Sequence, residues 1–71
     1  MKEKTQPNIL FGNKLAALRL SRKLSQEQLA LKCGFNRTYI GTLERAEKSA
    51  TVNTIYRLAE GLEVDPKEFF E

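Results

Sequence analysis

The side chains best equipped for chemistry in this 71-residue sequence lie close together, at Arg37, Thr38 and Thr42. With Ile40 and Leu43 on the buried side of a helix, these three face outward. An arginine can donate two hydrogen bonds to O6 and N7 of a guanine, and a threonine offers a hydroxyl to a base or phosphate and a methyl to thymine. These residue types predict contacts with DNA bases; the alternative for Arg37 is an ordinary solvated charge.

Catalytic chemistry has little support in the composition. The sequence contains no histidine, no Cys/His cluster with metal-ligand spacing and no glycine-rich loop that could cradle a phosphate. Its single cysteine, Cys33, falls on the predicted buried face of a helix, where an inert core thiol is expected rather than a nucleophile. We therefore expect no enzyme activity, no cofactor and no bound metal.

Two short helices joined by a tight turn are predicted to position the polar residues. Ser25 and Gln28 have the spacing of a capping box, so the first of these helices begins at Gln26. Gly34 ends it after about two turns, and Asn36 is a suitable N-cap for the second. Helices joined so closely cross at a steep angle, which is the geometry of a helix-turn-helix unit.

Three further positions within residues 26–45 favour the same unit. Counted from Gln26, Ala30 is a small fifth residue where the helices cross, and Gly34 is a ninth residue suited to a left-handed backbone. The β-branched Ile40 is fifteenth and fills the angle between the helices. An ordinary helical hairpin with this spacing by chance is the alternative. Gly41 is expected to face outward and leave room for close approach to DNA.

Further helices are predicted on both sides of this unit. The first covers residues 9–23 after Asn8 as N-cap, and without a glycine Lys23 must turn the chain with some strain. A fourth helix begins after Thr51 and a short fifth begins at Asp65-Pro66. The expected apolar face of the fourth consists of Val52, Ile55, Leu58, Ala59 and Leu62. The sequence thus predicts an all-α fold, a compact five-helix domain over residues 8–71 behind a flexible tail, residues 1–7.

Charge is distributed unevenly along the chain. Residues 1–48 contain ten of the twelve Lys and Arg residues but four of the nine Asp and Glu residues. A basic N-terminal part suggests a polyanionic partner, and random surface scatter is the alternative. The chain lacks a signal-peptide segment and an apolar run of membrane-spanning length, and its lone cysteine suits a reducing compartment. We expect a cytoplasmic protein without a membrane partner.

Several short motifs match a known pattern: Leu18-Arg19, Leu24-Ser25-Gln26-Glu27-Gln28-Leu29-Ala30, Tyr39-Ile40, Leu43-Glu44-Arg45, Thr51-Val52, Thr54-Ile55, Leu58-Ala59, Leu62 and Val64. They resemble the lambda-repressor/Cro-like (XRE) helix-turn-helix family over nearly the whole chain. Within the family, controller proteins of restriction–modification systems are most similar at Asn36-Arg37-Thr38-Tyr39-Ile40, Glu44-Arg45 and the ending Phe69-Phe70-Glu71. The sequence departs from the family pattern at Lys23, in place of a glycine, and at Ala46-Glu47, in place of a glycine and a basic residue, which leaves the contacts of that loop open.

The resemblance implies roles for individual residues. It supports Arg37, Thr38 and Thr42 as the base contacts, and an Arg19–Glu44 ion pair that fixes the recognition helix. Gln26 begins a helix, where free backbone N–H groups can bind a phosphate, and in the family this glutamine also contacts the DNA backbone. The expected phosphate contacts are Gln26, Tyr39, Arg45, Lys48 and Asn53. For Tyr39, packing of the ring on the protein is an equal alternative.

One recognition helix reads only about four or five base pairs, so a homodimer on a palindromic operator is expected, with half-sites about 34 Å apart. The predicted dimer interface consists of Leu62, Val64, Phe69 and Phe70; the alternative is that all four belong to the core of a monomer. The predicted function is a sequence-specific transcriptional regulator, a restriction–modification controller, with RNA polymerase as a further candidate partner. An antitoxin-like or phage-type repressor that acts partly through protein binding is the alternative.

Overall fold

The computed structural model describes residues 5–71, and this part of the chain contains helices and no strand. Four α-helices are followed by one 3₁₀ helix: α1 (Gln6–Ser21), α2 (Gln26–Cys33), α3 (Arg37–Glu44), α4 (Val52–Leu62) and the 3₁₀ helix (Pro66–Phe70). The all-α prediction is confirmed, but the fifth helix is not an α-helix. Its five residues form fewer than two turns, which begin with a hydrogen bond from the amide of Glu68 to the carbonyl oxygen of Asp65 (2.9 Å).

The start of α1 differs from the prediction. Thr5 is the N-cap, and its hydroxyl accepts a hydrogen bond from the amide of Asn8, so the helix begins at Gln6 rather than after Asn8. Pro7 fits the first turn because its missing N–H would have no partner there. The Asn8 side chain instead donates to Ser49 Oγ (2.9 Å) and ties α1 to the loop after α3. Of the predicted tail, residues 1–4 lie outside the described residues.

The turns between the helices follow the predicted caps. The reciprocal capping box of Ser25 and Gln28 is present, and Asn36 and Thr51 cap α3 and α4. Gly34 has the left-handed backbone expected of it (φ 78°). The predicted strain at Lys23 is also present, since this residue has a φ of 59° that glycine would adopt at lower cost.

The core lies where α1 and α3 pack together beside α2 and α4. Its fully buried large side chains are Leu15, Leu29, Ile40, Leu43, Leu58 and Leu62. Phe69 of the 3₁₀ helix packs against Phe11 of α1, with ring centroids 5.0 Å apart, which closes the C-terminal end of the core. Val52 was expected in this core and is 69% exposed, because it lies at the very start of α4, whereas Thr54 two residues later is buried.

Candidate nucleic-acid interface

The first turn of α3 presents the side chains that the sequence assigns to the bases. Arg37 and Thr38 are exposed, and neither side chain makes a hydrogen bond or ion pair within residues 5–71. Thr42, one turn further, is half-buried, and its hydroxyl donates to the carbonyl oxygen of Tyr39 (2.7 Å). Arg37 and Thr38 can therefore offer all their donors to a ligand, whereas Thr42 retains its methyl group and oxygen lone pairs.

Gly41 is buried, not open as expected. A β-carbon at this position would lie 2.9 Å from Nη1 of Arg45 and 3.7 Å from Oε1 of Gln26. The two long side chains therefore cover the backbone of α3 at this point. The absence of a side chain at Gly41 makes room for Arg45 and Gln26 within the protein itself.

Glu44 joins three elements of the fold through one carboxylate. Arg19 of α1 donates to it from Nε (2.7 Å) and from Nη2 (3.1 Å), so the expected ion pair is present and bidentate. Gln26 at the start of α2 donates from Nε2 to the same carboxylate (3.0 Å). The side chains of Arg19 and Glu44 are only 12% and 9% exposed, and Arg19 also donates to the carbonyl oxygen of Leu24 (2.7 Å). This network connects α3 to both neighbouring helices, and charge-assisted bonds shielded from water are the strong kind.

The end of α3 carries a second, exposed ion pair. Arg45 donates from Nε and Nη2 to the two carboxylate oxygens of Glu47, at 3.0 and 3.2 Å. These hydrogen bonds, together with the negative charge of Glu47, raise the pKa of the Arg45 guanidinium, which is fully ionised at any ordinary pH. A DNA phosphate at Arg45 would have to compete with this carboxylate.

The hydroxyl of Tyr39 lies 3.2 Å from Oγ1 of Thr54, which is buried at the start of α4. Its ring meets Phe35 edge to face, with centroids 5.0 Å apart. Both features favour the packing alternative for this residue, although a phenolic oxygen can make a second hydrogen bond. Lys48 and Asn53 are exposed, the first in the loop after α3 and the second in the first turn of α4.

Two arginines that sequence reasoning did not single out bind helix ends. Arg57 of α4 donates to the carbonyl oxygens of Cys33 (2.9 Å) and Gly34 (3.1 Å), and its guanidinium lies 4.3 Å from the centroid of the Phe35 ring. Arg22, which directly follows α1, donates to the carbonyl oxygen of Leu62 at the end of α4 (2.8 Å). Cations at helix C-termini are favourable, yet these partners are far apart in sequence and carry no local signal.

The four residues of the predicted dimer interface occupy different environments. Leu62 and Phe69 are 1% and 4% exposed and belong to the core of the chain itself. Val64 is half-buried, and Phe70 is 70% exposed. Phe70 lies at the edge of an open groove of about 560 Å³ between α4 and the 3₁₀ helix. The groove is lined by Val52, Ile55, Tyr56, Asp65, Pro66, Lys67 and Phe70.

Other kinds of site find little support in the described part of the chain. Residues 5–71 contain no group of three or more His, Cys, Asp or Glu side chains that could hold a metal ion. None of the helices described above is long and apolar enough to cross a membrane.

The arrangement of α2 and α3 agrees with a comparison of sequences. The model of the helix-turn-helix family (HTH_3) matches residues 15–69. The chain belongs to this family of DNA-binding regulators. Its members bind DNA to control transcription and are not enzymes, which agrees with the expectation from composition. In this helix-turn-helix protein the unit consists of α2, the turn at Gly34 and α3.

Individual relatives of this helix-turn-helix protein are restriction–modification controllers. The control protein C.BamHI of Bacillus amyloliquefaciens is 38% identical over 64 residues, which cover 89% of this chain and 79% of that protein. The control protein C.SmaI of Serratia marcescens is 42% identical over 53 residues, which cover 75% of this chain and 63% of that protein. The crystal structure of the restriction-modification controller protein C.AhdI from Aeromonas hydrophila has a TM-score of 0.87 at 38% identity, covering 89% of this chain and 91% of that one. The predicted family resemblance is confirmed.

Proposed function

We propose that this helix-turn-helix regulator reads the major groove of a palindromic operator with α3. The observation that carries the proposal is the pairing of exposed, unpartnered Arg37 and Thr38 on α3 with the shielded Arg19–Glu44–Gln26 network behind it. Reading a base edge requires a donor that is free to bind and a helix that cannot tilt. Arg37 is the free donor, and the hydrogen bonds of Glu44 to Arg19 and Gln26 hold α3 in place.

In this proposal the contacts divide into readers and positioning contacts. Arg37 donates to a guanine, and Thr38 and Thr42 contact neighbouring bases. The first turn of α2, which begins at Gln26, binds a phosphate through backbone N–H groups left without helical partners. Lys48 and Asn53 are exposed and available for contacts with further phosphates. The hydroxyl of Tyr39 makes an additional phosphate contact while it remains hydrogen-bonded to Thr54.

The proposed physiological role is that of a restriction–modification controller in the cytoplasm. The identity of 38–42% with the control proteins C.BamHI and C.SmaI supports it, as does the structural similarity to C.AhdI. A regulator of this kind would bind DNA near a promoter, where RNA polymerase is the further partner proposed. The genes that lie beside this one test the role directly, because a controller is expected beside a restriction endonuclease and a methyltransferase.

We also propose that the protein binds its operator as a homodimer through the groove beside Phe70. The exposed fractions of Val52, Tyr56 and Phe70 are 69%, 61% and 70%, and these side chains line one groove. Apolar side chains gathered in one place on a small surface are typical of a protein interface. Leu62 and Phe69 would support this surface from inside the core rather than contact the partner.

Selection of a binding site from random duplexes, followed by titration of variants on the selected duplex, tests the DNA-reading role. Arg37→Ala is expected to weaken binding by about 1–3 kcal/mol and to relax the preference at one position of each half-site. Lys48→Ala is the comparison, because loss of a phosphate contact weakens all sequences alike. A uniform loss for Arg37→Ala, or none, contradicts base reading by α3.

Sedimentation of Phe70→Asp tests the dimer. A charge at the groove should shift the protein towards monomer and weaken operator binding in proportion. Leu31→Asp is the matched control, since Leu31 is 77% exposed on α2 and does not line the groove. An unchanged mass for Phe70→Asp, or the same shift for Leu31→Asp, counts against this interface.

A further inference from the structure

The Arg45–Glu47 pair is built into the backbone turn that ends α3. The amide of Glu47 donates to the carbonyl oxygen of Thr42 (2.9 Å), and that of Ala46 donates to Leu43 (3.2 Å). Ala46 has a left-handed backbone with a φ of 64°. This is the pattern of a Schellman motif, in which one left-handed residue reverses the chain after a helix. Glu47 is therefore held beside the last turn of α3 by the turn itself.

The pair lies on the side of α3 that is proposed to meet DNA. The Nη1 atom of Arg45 lies over Gly41, only 2.9 Å from where a β-carbon would be, next to the side chain of Gln26. Arg37, Gly41 and Arg45 are spaced four residues apart and share one helical face. The Arg45 guanidinium thus lies in line with the proposed base contact and close to the proposed phosphate contact of α2.

Glu47 uses the donors that a phosphate would need. A guanidinium binds a carboxylate and a phosphate with the same planar pair of N–H groups, and Glu47 already accepts from Nε and Nη2 of Arg45. Both side chains are accessible to solvent, 56% and 42% exposed, so a phosphate can reach the pair but must displace a carboxylate that also repels it. The two charges cancel at a distance, which reduces the attraction to DNA of any sequence.

We infer that Glu47 masks Arg45 and thereby removes one phosphate contact from the binding of DNA irrespective of its sequence. The inference rests on the proposed role of α3 at the DNA. Attraction to phosphates supplies nearly all of non-specific binding, whereas base contacts supply discrimination. Weaker non-specific binding leaves more of the protein free to find its operator among the many competing sites of a genome. Glu47 thus sets how strongly this regulator is held by DNA outside its operator.

A double-mutant cycle read out by salt dependence tests this masking. The four proteins are the wild type, Glu47→Gln, Arg45→Gln and the double variant, and the probe is a mixed-sequence duplex of roughly 24 base pairs without two-fold symmetry. Glu47→Gln should bind about three-fold more tightly at 0.1 M salt, the size expected for one exposed ion pair. Its plot of log affinity against log salt should be steeper by about 0.9, the value for one additional phosphate contact.

The other members of the cycle identify the cause. In the wild-type background, Arg45→Gln should change the slope of log affinity against log salt by less than half of the value expected for one phosphate contact. In the Glu47→Gln background, the same substitution should abolish the whole gain in affinity and in slope. Glu60→Gln is the matched control, because it makes the same change of net charge on the exposed side of α4. It should leave the slope nearly unchanged.

Three results would overturn the inference. An equal gain in duplex affinity for Glu60→Gln would mean that only net charge matters. A decrease of the salt slope by one full phosphate contact for Arg45→Gln in the wild type would mean that Arg45 is already bound to phosphate. Additive effects of the two substitutions would mean that the residues act independently. Failure of all four proteins to bind any duplex would contradict the proposed function itself and the inference with it, whereas binding without coupling contradicts the inference alone.

Discussion

The backbone of Gly12 in α1 lies directly against the carbonyl oxygen of Leu43 at the end of α3. A β-carbon at position 12 would be 2.6 Å from that oxygen and 2.7 Å from the carbonyl oxygen of Glu44. Real β-carbons do not approach backbone oxygens so closely, and neither oxygen can rotate away. Glycine at this position therefore sets the distance between α1 and the recognition helix, and so brings Arg19 within reach of Glu44.

Gly12→Ala should consequently lower the free energy of unfolding, although alanine is the better helix former. Overpacking of a tight interface costs about 1–3 kcal/mol beyond the gain of about 1 kcal/mol from helix propensity. Urea denaturation measures the change, and Asn13→Ala on the exposed side of the same helix is the control, with no loss expected. If Gly12→Ala, like Asn13→Ala, left the free energy of unfolding unchanged, α1 and α3 could move apart at no cost.

Glu44→Gln should destabilise the protein and impair its reading of DNA together. The substitution leaves the guanidinium of Arg19, whose side chain is 12% exposed, without its counter-charge. Removal of one partner from a buried pair costs about 3 kcal/mol or more. Thermal unfolding and the ratio of operator to non-operator affinity are the measurements. Glu60→Gln, at an exposed position, should have a much smaller effect on the thermal stability and on the affinity ratio. A stable Glu44→Gln variant with a normal affinity ratio would contradict the positioning role of this carboxylate.

Arg57→Met should loosen the turn of the helix-turn-helix unit. The substitution removes the hydrogen bonds to the carbonyl oxygens of Cys33, the last residue of α2, and of Gly34, and also the cation–π contact with Phe35. We expect a loss of about 1–2 kcal/mol, because Arg57 is exposed and its bonds are partly screened. Chemical denaturation and amide exchange at Phe35 report the effect, while Lys48→Met should leave both unchanged. The stability of Arg57→Lys should lie between those of the wild type and Arg57→Met, because lysine keeps the charge without the planar pair of donors.

Stability should fall at high pH through Cys33. Burial raises the pKa of this thiol, and the charge of Arg57 only partly offsets the effect. Above the ordinary thiol pKa of about 8.5 the unfolded chain releases the proton while the folded chain retains it, so the free energy of unfolding decreases with rising pH. Urea denaturation under reducing conditions should show a smaller difference between wild type and Cys33→Ala at pH 10 than at pH 8. A difference that stays constant over this range would count against the raised pKa.

The sequence determined the helix-turn-helix unit almost completely, because its signals are local. Caps such as Ser25 and Asn36 accept hydrogen bonds from amides three residues away, and Gly34 adopts a backbone that depends on its own missing side chain. Membership of the family was predictable for the same reason. The prediction of Asn8 as the first N-cap was wrong, because Thr5, which is also a favourable capping residue type, caps α1 three residues earlier.

The tertiary structure alone decided which side chains are available at the surface. Leu62, Phe69 and Phe70 look alike in sequence, yet the first two lie in the core, where Phe69 packs against Phe11 of α1, and the third is exposed. The close approach at Gly12 and the bonds of Arg22 and Arg57 to distant helix ends depend on elements far apart in the chain. Such contacts depend on how whole helices pack together, so the sequence around each residue does not predict them. The sequence thus specified what α3 can read, and the packing of the other helices decided how firmly α3 is held and which of its charges are free to bind.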